Sequence, residues 1–282
     1  MQLTRAIDPD GLTLAVHDLG GEGEPALLVH ATGFHGRVLG PLARELGSRL
    51  HCLAPDLRGH GESQVPEDLD FDWRGFGTDV LTAVDALGLQ RPFGIGHSCG
   101  GAALLLAEEA RPGTFSGLYC FEPVVFPPQG RRSLEVSEPL AKGARQRREV
   151  FSSRSEAYDN YASKPPLGTF DPEVLAAYVE YGFEDLPDGT VRLRCRGENE
   201  ARVYENGFRH PAFSLLGAVE CPVVLACGAD SFDFTPATLG LLAERLRNGR
   251  VEVLPGLGHF GPLEHPGVVA DSVIRALDPP PA

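Results

Sequence analysis

Residues 91–112, RPFGIGHSCGGAALLLAEEARP, place a small polar side chain, Ser98, between a short apolar run and an alanine- and leucine-rich helical pattern. Glycines stand at 96 and 100, two residues to either side. Two chemistries use such a junction. A G-x-S-x-G turn forces its serine into a positive-φ conformation that lifts Oγ clear of the sheet, and larger side chains at the flanking positions would collide. The helix that follows aims its positive end at the site. Alternatively, Gly94-x-Gly96 opening a helix, with Glu122 some way downstream, is a partial fingerprint for a dinucleotide phosphate. The third glycine of that fingerprint is Cys99 here, and the unit sits late in the chain's alternation of elements. The nucleophile reading fits better, and no organic cofactor is expected.

A nucleophilic serine needs a base, and the base needs an orienting group. The stretch LPGLGHFGPLEHP places His259 in a glycine-flanked loop after the last strand-like run, on the same carboxyl edge as Ser98. The stretch LLVHATGF ends an early strand in a loop whose backbone N–H groups can face the serine. Together with the N–H of Cys99 they would make an oxyanion hole.

The elements around these residues predict how they are brought together. Strand-like runs at 12–18, 24–33, 51–56, 91–97 and 115–126 alternate with helical spacings, which implies a parallel sheet covered on both faces. Residues 127–219 hold no run resembling a buried parallel strand and read as a largely helical insertion. The alternation resumes with strands at 221–230 and 250–260 and a last helix near 266–277. The expectation is an α/β core, 1–126 and 220–282, with a doubly wound, mostly parallel sheet of about eight strands and a helical cap, 127–219, inserted after strand six.

Composition narrows the function. The formal net charge is −14, against nucleic-acid binding. No apolar run approaches the length of a membrane span, and the N-terminus has no signal-peptide core, so a cytoplasmic protein is expected. Six cysteines without a CxxC pair read as buried free thiols, and nine scattered histidines show no zinc spacing, so no metal is expected. Of the six basic residues in 131–148, a solvated helix face is the simplest account. The tyrosines of EAYDNYAS and AYVEYGFEDL read first as packing inside the insertion.

LLVHATG, APDLRGHGES, GHSCGG and LPGLGHFGPLEHP, in this order over residues 24 to about 275, resemble the α/β-hydrolase fold superfamily. The resemblance implies a Ser98–His259 pair, an oxyanion hole from the N–H groups of Thr32 and Cys99, and a structural turn at RGHG. Ala31 stands where the usual HG loop has glycine. The superfamily offers two places for the acid. CGADSFDFTP, after strand seven, supplies Asp230 and, less aptly, Asp233. Glu122 in LYCFEPVVF, after strand six, resembles the acid of the haloalkane-dehalogenase and luciferase-like branch. Asp230 comes one residue early and Asp233 two late for the usual spacing, and the order of preference is Asp230, then Glu122, then Asp233. A serine nucleophile excludes the dehalogenase and epoxide-hydrolase routes, which need an Asp. What remains is hydrolysis of an ester-like bond in a small to medium organic substrate through an acyl-enzyme, with thioester hydrolysis, C–C bond hydrolysis and cofactor-free perhydrolysis on the same constellation. A binding module that kept the fold and lost turnover is the non-enzymatic alternative. A homodimer is compatible with all of this.

Overall fold

The computed structural model describes residues 3–9, 11–66, 69–128 and 132–278. Residues 129–131 of the expected insertion, Arg131 of its basic stretch and the 279–282 tail lie outside the described residues.

Six strands come first: β1 (Leu3–Ile7), β2 (Thr13–Gly20), β3 (Glu24–Val29), β4 (Leu50–Pro55), β5 (Phe93–His97) and β6 (Gly117–Phe121). Three helices connect them: α1 (Gly40–Leu46), α2 (Trp73–Ala86) and α3 (Cys99–Ala110). The chain then leaves the sheet through α4 (Arg132–Arg145), β7 (Val150–Phe151), α5 (Arg154–Ala162), α6 (Pro172–Gly182), β8 (Phe183–Asp185), β9 (Val191–Leu193), α7 (Gly197–Asn206) and α8 (Ala212–Leu215). It returns as β10 (Val223–Gly228), α9 (Pro236–Ala243), β11 (Gly249–Leu254), α10 (Gly261–Glu264) and α11 (Pro266–Leu277).

The main sheet has eight strands in the order β1-β2-β4-β3-β5-β6-β10-β11. β1 and β2 run antiparallel to their neighbours and the other pairings are parallel. The central strands are buried on both faces, and their residues alternate between two cores. Ala26, Leu28, Ile95, Tyr119 and Phe121 face one cluster, with α1 and α11. Leu27, Val29, Leu118, Cys120 and Leu225 face the other, with α2 and α3. This is the wrapping that continuous apolar strands demand.

β1 was not anticipated from sequence. Only Ala6 of its five residues is buried, so LTRAI shows no apolar alternation. Between β6 and β10 the chain is helix-rich, and it also carries a three-stranded antiparallel sheet, β7-β9-β8. Its strands are two or three residues long, too short to leave a period-2 pattern. Tyr161, Tyr178, Phe151 and Phe183 of this region pack ring against ring. All six cysteines are free and buried. Among the described residues no helix is long and apolar enough to cross a membrane.

Candidate active site

Four strand ends build the site. Thr32 follows β3, Ser98 follows β5, Glu122 follows β6 and His259 follows β11. The sheet order sets β3, β5, β6 and β10 side by side, so residues far apart in sequence meet on one edge.

Ser98 sits between β5 and α3 with φ 54° and ψ −114°. Its N–H donates to Phe121 O at 2.9 Å, and its own carbonyl accepts from Ala102 N and Val124 N at 3.2 Å each. These three bonds lock a conformation that an L-residue otherwise avoids. The flanking glycines are explained by space. A Cβ at Gly100 would stand 2.1 Å from Val29 O, and one at Gly96 would stand 2.6 Å from Gly101 N. The collision expected from the motif is therefore with backbone, which cannot move aside.

His259 lies in the loop after β11. Its Nδ1 is 2.7 Å from Glu122 Oε2. A carboxylate only accepts, so Nδ1 carries the proton and Nε2 is left as the basic nitrogen. Glu122 is fully buried and, like Ser98, has a positive φ, 47°. Its N–H donates to Ala226 O at 2.8 Å. Its second oxygen, Oε1, accepts from Gly228 N at 2.9 Å and from Ser231 Oγ. Three donors thus satisfy the buried carboxyl group and aim it at the imidazole.

The order of preference among the acids is corrected here: Glu122, not Asp230, meets His259. Asp230 is exposed at the rim of the cavity; its N–H donates to Leu257 O, and no bond from its side chain to His259 exists among the described residues. Asp233 is also exposed on that loop. The physical reason is the loop after β10. It offers donors, the Gly228 N–H and the Ser231 hydroxyl, at the place where the alternative acid would have stood. Ser231 was not anticipated from sequence, where a serine beside two aspartates gives no signal.

The His259 ring stacks on Phe234, centroids 4.9 Å apart and planes 13° from parallel. His97, immediately before Ser98, donates from Nε2 to the His259 carbonyl at 2.8 Å. His259 is thereby gripped through its ring nitrogen, its ring face and its backbone.

The HATG loop is built on buried histidines. His30 donates from Nδ1 to Ala31 O at 2.8 Å and accepts from Leu57 N at 3.0 Å. His60 donates from Nδ1 to Arg58 O at 2.9 Å and accepts from Gly33 N at 3.0 Å. Burial pushes His30 down to about 3 and His60 to about 4, so both stay neutral and keep these tautomers. Asp56 braces the same loop, accepting from Gly36 N at 2.7 Å and from His17 Nε2 at 2.8 Å. Arg58 is forked onto Asp79. RGHG is thus a structural turn whose histidine holds the HATG loop. The N–H groups of Thr32 and Cys99 donate to no other described residue.

Ser98, Thr32 and His259 line one cavity of about 700 Å³, with largely apolar walls. The region between β6 and β10 forms much of it, including Phe126, Leu140, Tyr178 and Phe208. Tyr178 both packs within that region and faces the cavity.

A model described as the alpha/beta hydrolase family matches residues 26–272. The chain belongs to that family. Human monoglyceride lipase is 34% identical over 131 residues, which span 44% of this chain and 43% of that protein. The soluble epoxide hydrolase of Corynebacterium sp. (strain C12) is 29% identical over 282 residues, 92% of each chain. The crystal structure of E-2-(acetamidomethylene)succinate hydrolase superposes with a TM-score of 0.83 at 21% identity, covering 98% of this chain and 99% of that one. At that identity the likeness is one of fold. The relatives are named as hydrolases, and this chain is an α/β-hydrolase-family enzyme by the same kinship.

Proposed function

We propose that this α/β hydrolase is a serine hydrolase that cleaves an ester-like bond of a small to medium organic substrate. The observation that carries the reading is the Glu122–His259 bond of 2.7 Å beside a serine at positive φ on the same cavity.

In this mechanism His259 Nε2 takes the Ser98 proton as Oγ attacks the carbonyl carbon. Glu122 stabilises the imidazolium through Nδ1–H without itself being protonated. The Thr32 and Cys99 N–H groups receive the oxyanion, aided by the N-terminus of α3. His259 then gives its proton to the leaving group, and an acyl-Ser98 ester remains. A water deprotonated by His259 attacks that ester, and Ser98 regains the proton as the acid product departs. The region between β6 and β10 acts as a cap that shapes the substrate's space.

The test is labelling with a fluorophosphonate, read by mass spectrometry. Modification at Ser98, lost in Ser98→Ala, is the expected result. An unlabelled but folded protein with an open cavity would overturn the reading in favour of a non-catalytic binding module.

A further inference from the structure

Into a largely apolar cavity wall the region between β6 and β10 sets one ion pair, a half-buried arginine on a buried carboxylate. Arg147 is the only Lys or Arg lining the cavity among the described residues. Its Nη1 lies 2.9 Å from Glu200 Oε2, and its Nη2 donates to Glu200 Oε1 at 3.0 Å. Tyr204 OH donates to the same Oε1 at 3.1 Å, and Nη1 also reaches Tyr178 OH at 3.4 Å. The Glu200 side chain is only 2% exposed. It presses on the oxyanion loop: a Cβ at Gly33 would stand 2.8 Å from Glu200 Oε1.

An ion pair with its carboxylate buried is a poor way to stabilise a wall, since apolar residues of the same volume do as well or better. Its value here lies in what it leaves unused. Glu200 and Tyr178 occupy one edge of the guanidinium. The Arg147 Nε–H and the second Nη2 hydrogen donate to no described residue. Two donors therefore remain on a side chain that lines the same cavity as Ser98. Glu200 already neutralises the guanidinium, and Asp230 and Asp233 also line the cavity, so an added carboxylate would face a net negative wall. A neutral oxygen gains the donors without that repulsion.

We propose that Arg147 is a specificity residue that binds an uncharged hydrogen-bond acceptor, a ketone, ester or hydroxyl oxygen, carried by an otherwise apolar substrate away from the scissile carbonyl. This rests on the serine-hydrolase reading above. Substrates of this class have an apolar body for the walls, an acyl carbon for Ser98 and one neutral oxygen for Arg147.

The experiment compares phenyl esters of graded chain length in three forms: methyl-ended, keto-ended and carboxylate-ended. A parallel series carries the same groups on the alcohol side. At the matching length in one series, the keto-ended ester should exceed its methyl-ended analogue about 10- to 100-fold in kcat/KM, the worth of a hydrogen bond to a charged donor. The carboxylate-ended ester should be the slower of the two polar forms. In Arg147→Lys, which keeps the charge balance but loses the fork, the keto-to-methyl ratio should fall to about one. Arg147→Met/Glu200→Gln should do the same with no buried charge left over. The ratio is read within each variant, so a general loss of activity does not mimic the effect. Equal rates for keto and methyl forms at every length in both series, or a ratio that survives in both variants, would overturn the proposal while leaving the hydrolase standing. Hydrolysis of none of the esters would remove the serine-esterase reading and this inference with it.

Discussion

Glu122 and His259 are joined by a 2.7 Å hydrogen bond across 137 positions of sequence, and the same glutamate collects donors from Gly228 and Ser231. Glu122→Gln puts an amide where only acceptors now face the imidazole, which favours the wrong tautomer. We expect kcat to fall about 10²–10⁴-fold with KM little changed, while Asp230→Asn changes kcat less than about threefold. Steady-state kinetics on any hydrolysed ester decides between the two carboxylates; a larger loss for Asp230→Asn would reverse the assignment.

Gly100 offers a purely steric test. A Cβ there would lie 2.1 Å from Val29 O and 2.7 Å from His30 O. Both obstacles are backbone of β3 and the loop after it. Gly100→Ala should therefore cost about 3 kcal/mol or more and displace the elbow, abolishing labelling of Ser98. Urea denaturation measures the first effect. A variant as stable and as reactive as the parent would show that the elbow has slack.

The neutral histidines make a prediction about acid. His30, His60 and His35 are held by burial at about 3, 4 and 4, all below the ordinary value of 6.5. Between these limits the unfolded chain binds protons that the native chain refuses. Stability should thus fall as pH drops from about 6.5 toward 4, by about 1.4 kcal/mol per pH unit for each histidine. His60→Ala should flatten that slope, cost about 2–4 kcal/mol at neutral pH, and lower kcat by freeing the Gly33 N–H from its acceptor. Denaturation curves at several pH values carry the test, and an unchanged slope would mean that His60 titrates normally.

Glu109 on α3 makes the opposite prediction. Both its carboxyl oxygens are buried without a partner among the described residues, and burial pushes its pKa up to about 8. The native chain then holds a proton that the unfolded chain releases above about 4.5. This penalty grows as pH rises from 4.5 to 8. Glu109→Gln should raise stability by about 1–3 kcal/mol at pH 8 and by little at pH 4. Equal effects at both pH values would point to packing instead of ionisation.

Ser98 and His259 stand out in the sequence because the roles proposed for them demand glycine neighbours and strand-end positions, and both leave local marks. The helix at 266–277 was equally plain from its apolar spacing. The carboxylate that meets His259 does not stand out, because either of two neighbouring strand ends can present one. What decides it is a three-dimensional fact, the donors that the loop after β10 sends to Glu122. Arg147 was hidden for another reason. It stands in a basic stretch that reads as a solvated face, and Arg145 and Arg148 do form exposed ion pairs. Only the packing of α7 turns their neighbour inward to Glu200.

β6 and β10 are hydrogen-bonded neighbours, with Leu118 beside Val223 and Phe121 beside Ala226. The sheet is therefore continuous across the point at which residues 122–222 depart and return. Nothing in the strand pairing depends on how long that detour is or what it folds into. Glu122 stays at its root, fixed to β10, while Phe126, Tyr178, Phe208, Arg147 and Glu200 of the cavity lining belong to the detour. A change confined to that one continuous stretch can thus reshape the cavity beside Ser98 without disturbing the strand pairing that sets Ser98 and His259 on one edge.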